Sequence, residues 1–262
     1  MKISHSRPQM VVTTNGAAVD DLAILTSGNP AETARIALPA SGPLTLTASL
    51  SSQIVPGLTG FLNTTLPVGS SVTVTIGAYS ASGQVIALPQ GERLCLIFLD
   101  PGLAASSAVT LSIASGLGAG ALVDIGELWH APMIDVPIKK GWRDQEVDKS
   151  EGDMSEFSQQ SDRRGQVRRQ RTFAVTQIKQ ADVYGTGNVM SMGFKALWAR
   201  LNRRQRAIYI TRWLDDAGVL SPSLIAANAI FGIAKQPPGT AHLSGSWFDP
   251  SEIVVDEIPI PA

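Results

Sequence analysis

The sequence predicts a mainly β protein with minor α: a jelly-roll-like β-sandwich followed by a second β unit that carries one amphipathic helix. Three observations carry this expectation. Apolar residues alternate with Ser and Thr through short runs, as where Leu44, Leu46, Ala48 and Leu50 interleave with Thr45, Thr47 and Ser49, the two-residue period of a half-buried strand. Gly, Pro and Ser punctuate such runs roughly every 10–15 residues, the rhythm of sandwich strands. Charge then changes abruptly, with 12 of the 43 charged side chains in residues 1–138 and 31 in residues 139–262.

In order, residues 10–14 form a β-branched run closed by Asn15-Gly16, a turn signal. Candidate strands follow at 33–38, 44–50, 60–66, 71–79, 85–88, 94–99, 108–113 and 122–129. Val72, Val74 and Ile76 alternate with Thr73 and Thr75, so one face of that strand meets the core and the other meets solvent. The run 94–99 is continuously apolar, as expected of a strand covered on both faces, and it contains the lone cysteine, Cys95. One thiol makes no intrachain disulfide and no thiolate cluster for zinc, so Cys95 reads as buried filler. The outward faces of these strands are Ser and Thr with almost no charge. Free monomers guard sheet edges with charge, so this surface is expected to sit against neighbours in an assembly.

The polar tract 139–171 holds nine basic and seven acidic residues with little apolar content beyond Trp142, Val147, Met154, Phe157 and Val167. It reads either as a solvated linker or as an extended arm that orders against another subunit. Its basic run from Arg163 to Arg171 shares the tract with the acids Glu151, Asp153, Glu156 and Asp162 just before it. That pattern favours salt bridges, between subunits or to its own acids, over nucleic-acid binding. The expected organisation is therefore a sandwich over 1–135, a charged arm or linker over 136–170 and a second β domain over 171–262. In that last part, strands are expected at 171–178, 207–213 and 229–234. Met190, Phe194, Leu197 and Leu201 mark one face of a helix over about 189–204, with Asn188 placed to cap it and Arg200, Arg203, Arg204 and Arg206 near its C-terminal end. Ser221-Pro222 is a helix start, and the proline-bearing tail 253–261 reads as an edge strand or an extended arm.

The formal net charge of −1 and a pI near 6.3 give no general attraction to nucleic acid or to an anionic membrane. No apolar run approaches the ~20 residues of a membrane helix, and the N-terminus lacks the apolar core of a signal peptide; synthesis in a cytoplasm is expected. His5, His130 and His242 are not spaced as metal ligands and are expected as surface or interface side chains. Gly116-Leu-Gly-Ala-Gly120 has no helix after it and reads as a turn rather than a phosphate cradle. Asp124 and Glu127, with Asp20 and Asp21, are commonplace acids at strand ends rather than a glycosidase pair. No catalytic residues, cofactor or metal are expected.

The strand ending Asp124-Ile-Gly-Glu-Leu-Trp129-His-Ala-Pro132 leads to Lys140-Gly-Trp-Arg-Asp-Gln145, then to the Gln/Arg-rich return 165–173, a helix and Ile230-Phe-Gly-Ile-Ala234. Over about residues 120–235 this pattern resembles structural proteins of long-tailed bacteriophage tails, of the distal tail or baseplate type. The resemblance implies a galactose-binding-like or jelly-roll sandwich beside a tail-tube-like β domain. It also implies a non-enzymatic virion protein of the tail tip, a homo-oligomer in a hexameric ring between the tail tube protein and baseplate hub or receptor-binding proteins. On that reading Trp142, Phe157, Arg163, Arg164, Arg168 and Arg169 are the expected subunit contacts. Two readings compete with it: a carbohydrate-binding module for cell-surface glycan, and a hydrolase of unrecognised type.

Overall fold

The computed structural model describes residues 1–88, 91–147, 151–154, 160–163, 168–187, 192–201, 205–235 and 239–258. It is mainly β with minor α, and its chain divides into two units, Met1–Asp135 with Ala207–Ile230, and Val136–Arg206 with Phe231–Pro259.

In the first unit the two-residue alternation does what the sequence predicts. Five antiparallel strands pair in the order Met10–Thr14, Leu44–Ile54, Ser106–Ala114, Ser71–Ile76 and Tyr79–Gln84. Leu44, Leu46, Ala48, Val72, Val74, Val109, Leu111 and Ile113 all point into one apolar core. A second sheet, in the order Leu128–Ala131, Leu58–Leu62, Arg93–Phe98 and Ile86–Ala87, contributes Phe61, Cys95, Ile97 and Leu128 to the same core. A three-stranded piece of Leu122–Ile125, Ala34–Ala37 and Ala17–Ala18 adds Ile36, Val123 and Ile125. This is a sandwich-like arrangement. The run expected as one strand over 122–129 is two, Leu122–Ile125 and Leu128–Ala131, which pair with different neighbours. They part at Gly126, whose N–H donates to the Asn63 carbonyl at 2.7 Å.

Arg93–Phe98 is covered on both faces. Cys95 and Ile97 face the sandwich core while Leu94 and Leu96 are buried on the other side, and helix α3 (Pro222–Asn228) packs against this strand. That cover comes from the second half of the sequence. Its start follows the expected chemistry, with Ser221 accepting from the Leu224 N–H and Pro222 in the first turn. Lys2–Ser4 also joins this unit, pairing antiparallel with Met133–Asp135 and with Arg206–Ile210.

In the second unit, Ala229–Ala234, Ile253–Glu257, Arg168–Val175 and Ile138–Val147 are neighbours in that order. The tail is thus not an edge. Ile253–Glu257 pairs on one side with Gln170–Phe173 and on the other with Gly232–Ala234; the prolines that argued for an edge lie beyond it, at 259 and 261. Helix α2 (Phe194–Leu201) lies inside the span expected for a helix and buries Phe194, Leu197, Trp198 and Leu201. Phe194 and Trp198 meet edge to face at 5.8 Å. Residues 188–191 and 202–204, with the expected cap Asn188 and with Arg203 and Arg204, lie outside the described residues. A short helix, α1 (Gln180–Tyr184), packs against α2. A three-stranded sheet runs in the order Ile178–Lys179, Trp247–Pro250 and Thr240–His242.

Candidate assembly surfaces

The stretch expected as a charged arm contains two paired strands. Ile138–Val147 is the outermost strand of its sheet, and it runs antiparallel to Arg168–Val175 with Trp142 opposite Phe173, Asp144 opposite Arg171 and Glu146 opposite Arg169. Because side chains alternate across a strand, these three pairs share one face. Phe173 is fully buried, whereas Trp142 remains 38% exposed. Arg171 is buried and forks onto Asp144, with Nη2 donating to Oδ2 at 2.7 Å and Nε donating to Oδ1. Arg169 makes the same kind of contact with Glu257 of the adjacent strand, Nε lying 2.9 and 3.0 Å from its two oxygens. Its backbone N–H donates to Oε2 at 3.2 Å. On the other face Gln170 donates to Asp256 at 2.7 Å. Planar guanidinium on carboxylate fixes both partners, so these charges stiffen the hairpin.

Of the expected contact residues, Trp142 and Arg169 therefore lie on one face of a paired ladder, Arg169 already engaged by Glu257. Arg168 stands opposite Val147 in the same ladder. Arg163 stands opposite Glu151 in a second short pair, Glu151–Met154 with Gln160–Arg163. Phe157 and Arg164 lie outside the described residues. The acids that take up Arg169 and Arg171, Glu257 and Asp144, are not the ones just before the basic run.

Sequence reasoning missed a polar cluster inside the first unit. His5 and His130, expected as surface or interface side chains, are buried instead. Strand Leu128–Ala131 lies against Leu58–Leu62 in register, which sets His130 opposite Thr59 and lets Nδ1 and the hydroxyl hydrogen-bond. Burial pushes the His130 pKa down to about 4. Glu127 is also fully buried and forms an ion pair with Arg7. Its other oxygen accepts from the Gly28 N–H at 2.6 Å, while the Arg7 guanidinium donates to the carbonyls of Leu128 (3.0 Å) and Thr26 (2.7 Å). Trp129 Nε1 donates to Ser4 Oγ at 2.9 Å, and Ser4 Oγ donates to the Pro132 carbonyl at 3.0 Å. The contacts of Ser4 and Arg7 tie residues 4–7 to the last sandwich strand, while Nε2 of His130 is buried with no hydrogen-bond partner among the described residues. Their only sequence signal is a set of polar residues within apolar strand runs.

Chemistry is sparse elsewhere. Asp124 holds Arg35 at 2.8 Å, and Asp21 caps a 3-10 turn through the Ala23 N–H. Among the described residues no three His, Cys, Asp or Glu side chains cluster as a metal site, and no helix is long and apolar enough to cross a membrane. Cys95 is buried, which pushes its thiol up to about 12 and keeps it from acting as a nucleophile at neutral pH. A cleft of about 590 Å³ opens beside Arg7, Gln9 and Ser51; Glu127 already compensates its one charged side chain. Another, of about 400 Å³ between loops 39–43 and 115–119, is floored by Ser71, Thr73 and Ser112 and has no charged lining. In the second unit an aromatic group also escaped the sequence reading. Phe248 lies edge-on to Tyr184 (6.5 Å) and His242 (5.2 Å), while Lys179 sits over Trp247 and Lys195 over Tyr184. Lysines thus occupy one face of each exposed ring.

These features define a mainly β protein whose ion-paired hairpin ends its sheet among the described residues. No protein-family model matches the chain, and no curated protein matches it either.

Proposed function

We propose that this chain is a non-enzymatic structural protein of a bacteriophage tail tip, of the distal tail type, which forms a ring between the tail tube and the hub or receptor-binding parts. The observation that carries the reading is the hairpin of Ile138–Val147 and Arg168–Val175. Its outer strand pairs on one side only among the described residues, its side chains from 142 to 146 are exposed, and Trp142 stands half out of the sheet. An open edge is a template for another strand, and a half-exposed Trp on rigid backbone is the usual anchor of a protein interface. The ion pairs within the hairpin hold that edge in shape before a neighbour arrives, which lowers the ordering cost of association. The galactose-binding-like character of the sandwich and the tube-like character of the second unit belong to this proposal. So do the roles of Trp142, Phe157, Arg163, Arg164, Arg168 and Arg169 as contacts.

Light scattering and electron microscopy of the full chain, alone and mixed with tube and hub proteins of the same particle, test it. A ring of six 27.7 kDa copies, lost in Trp142→Asp with an unchanged melting curve, is expected. A protein that stays monomeric under all of these conditions overturns the reading.

A further inference from the structure

The five strands of the larger sandwich sheet contain no Asp, Glu, Lys, Arg or His. Their register orders the outward side chains into rows. Thr13, Thr47, Thr110, Thr75 and Ser80 stand side by side across all five strands. Thr45, Ser112, Thr73 and Ser82 form the next row, in which Ser112 and Thr73 floor the cleft between loops 39–43 and 115–119, and Val11, Ser49 and Ala108 flank the first on its other side. Partners within the rows touch lightly, Thr73 and Ser82 at 3.2 Å and Thr47 and Thr110 at 3.4 Å. Each hydroxyl therefore keeps hydrogen-bonding capacity for something above the sheet. Val11 is 70% exposed on this face.

We infer that this hydroxyl face is a two-fold contact surface for a second copy of the chain, separate from the hairpin edge and not dependent on it. Two properties select the occupant. A charged face repels its own copy, whereas this one carries no charge to repel and no ion to desolvate. A hydroxyl both donates and accepts, so a row laid on the same row about a two-fold axis near the central strand leaves no polar group orphaned, and the Thr methyls and Val11 supply apolar area. Size sets the strength. Five strands about 4.8 Å apart and about 20 Å of strand length give roughly 500 Å² per copy, or roughly 1,000 Å² in total, at the lower limit for a specific interface. The isolated contact is therefore weak. It becomes effective where an assembly already holds copies close together.

Sedimentation velocity of the full chain, from about 10 µM to about 1 mM to cover weak association, tests this with three variants. Wild type is expected to self-associate with increasing concentration. Thr110→Lys, at the centre of the face, is expected to weaken that association at least roughly tenfold, equivalent to about 1.4 kcal/mol, with an unchanged melting curve. Thr110→Ser should retain the association. If Thr110→Lys does not fold, Thr75→Lys, at a more exposed position of the same row, replaces it. Wild type that stays monomeric throughout, or a folded lysine variant that associates like wild type, overturns the inference. So does a wild type that instead binds a neutral oligosaccharide such as maltohexaose through this face, which would assign the surface to a glycan.

Discussion

Replacing Glu127 with alanine removes the buried half of an ion pair whose other half, Arg7, lines a cleft. The Glu127 side chain is fully buried and that of Arg7 is 16% exposed. The substitution takes the carboxylate away from Arg7, whose guanidinium keeps the Leu128 and Thr26 carbonyls and its place over the Trp129 ring, and it removes the acceptor of the Gly28 N–H. Breaking a buried pair by removing one partner costs about 3–5 kcal/mol, and an unsatisfied buried donor costs about 1–3 kcal/mol. The two overlap, and Arg7 can draw water from the cleft beside it, so a net loss of about 3 kcal/mol is expected. For a unit of this size that is a fall of roughly 6–12 °C in Tm. Urea unfolding followed by tryptophan fluorescence measures it, with Arg7→Met/Glu127→Leu as the control. If desolvation governs the pair, the double apolar variant should lose far less than the single one, because no charge is left buried. A loss under about 1 kcal/mol for Glu127→Ala, the value of a surface pair, would refute the reasoning. So would a double variant as unstable as the single.

Two further outcomes follow from buried positions. His130 titrates near 4 in the fold against about 6.5 unfolded, so between those values the unfolded chain binds a proton that the native chain refuses. Stability is therefore full above pH 6.5 and falls by on the order of 3 kcal/mol as pH drops toward 4; His130→Gln should flatten that part of a stability-against-pH profile, and an unaltered slope contradicts the assignment. Gly60 has φ +152°, and a Cβ there would lie 1.9 Å from the Cys95 carbonyl oxygen of the paired strand. Gly60→Ala is expected to cost more than about 4 kcal/mol, in the exceptional range for one substitution, and to reach the insoluble fraction on expression; a soluble variant with a wild-type melt contradicts it.

The sequence was legible where one physical rule acts over a short distance. Alternation in 44–50 and 71–76, continuous apolarity in 94–99 and the Ser221-Pro222 helix start each encode their own local structure, and each appears in the fold. What depends on a distant partner was not legible. Nothing in Leu94 to Leu99 states that its second cover is α3, more than 120 residues away. The tail reads as an edge strand or an extended arm because Pro259 and Pro261 cannot donate to a ladder. The ladder, however, ends at Glu257, and within it each residue is free to pair on both sides. His5 and His130 are expected as surface or interface side chains because their spacing offers them no ligand partners. The register that sets His130 beside Thr59, and the Pro132 carbonyl that receives the His5 N–H at 3.2 Å, belong to tertiary pairing alone.

The same distinction explains why the candidate surface was half visible. A run of arginines in sequence announces charge but not its partners, because a strand's neighbours are chosen by topology. Arg171 faces Asp144 across the hairpin, and Arg169 faces Glu257 from the far end of the chain. Once both are engaged, the hairpin contributes little free positive charge at these two positions. What it offers a neighbour is then a stiff backbone edge and the Trp142 ring. In the proposed assembly, recognition there adds to these the charges of Arg143 and Glu146, which stay exposed on the same strand, so raising the salt concentration should weaken only the part of hairpin-mediated assembly that those charges carry. The sandwich face differs, because its five strands carry no charges to screen.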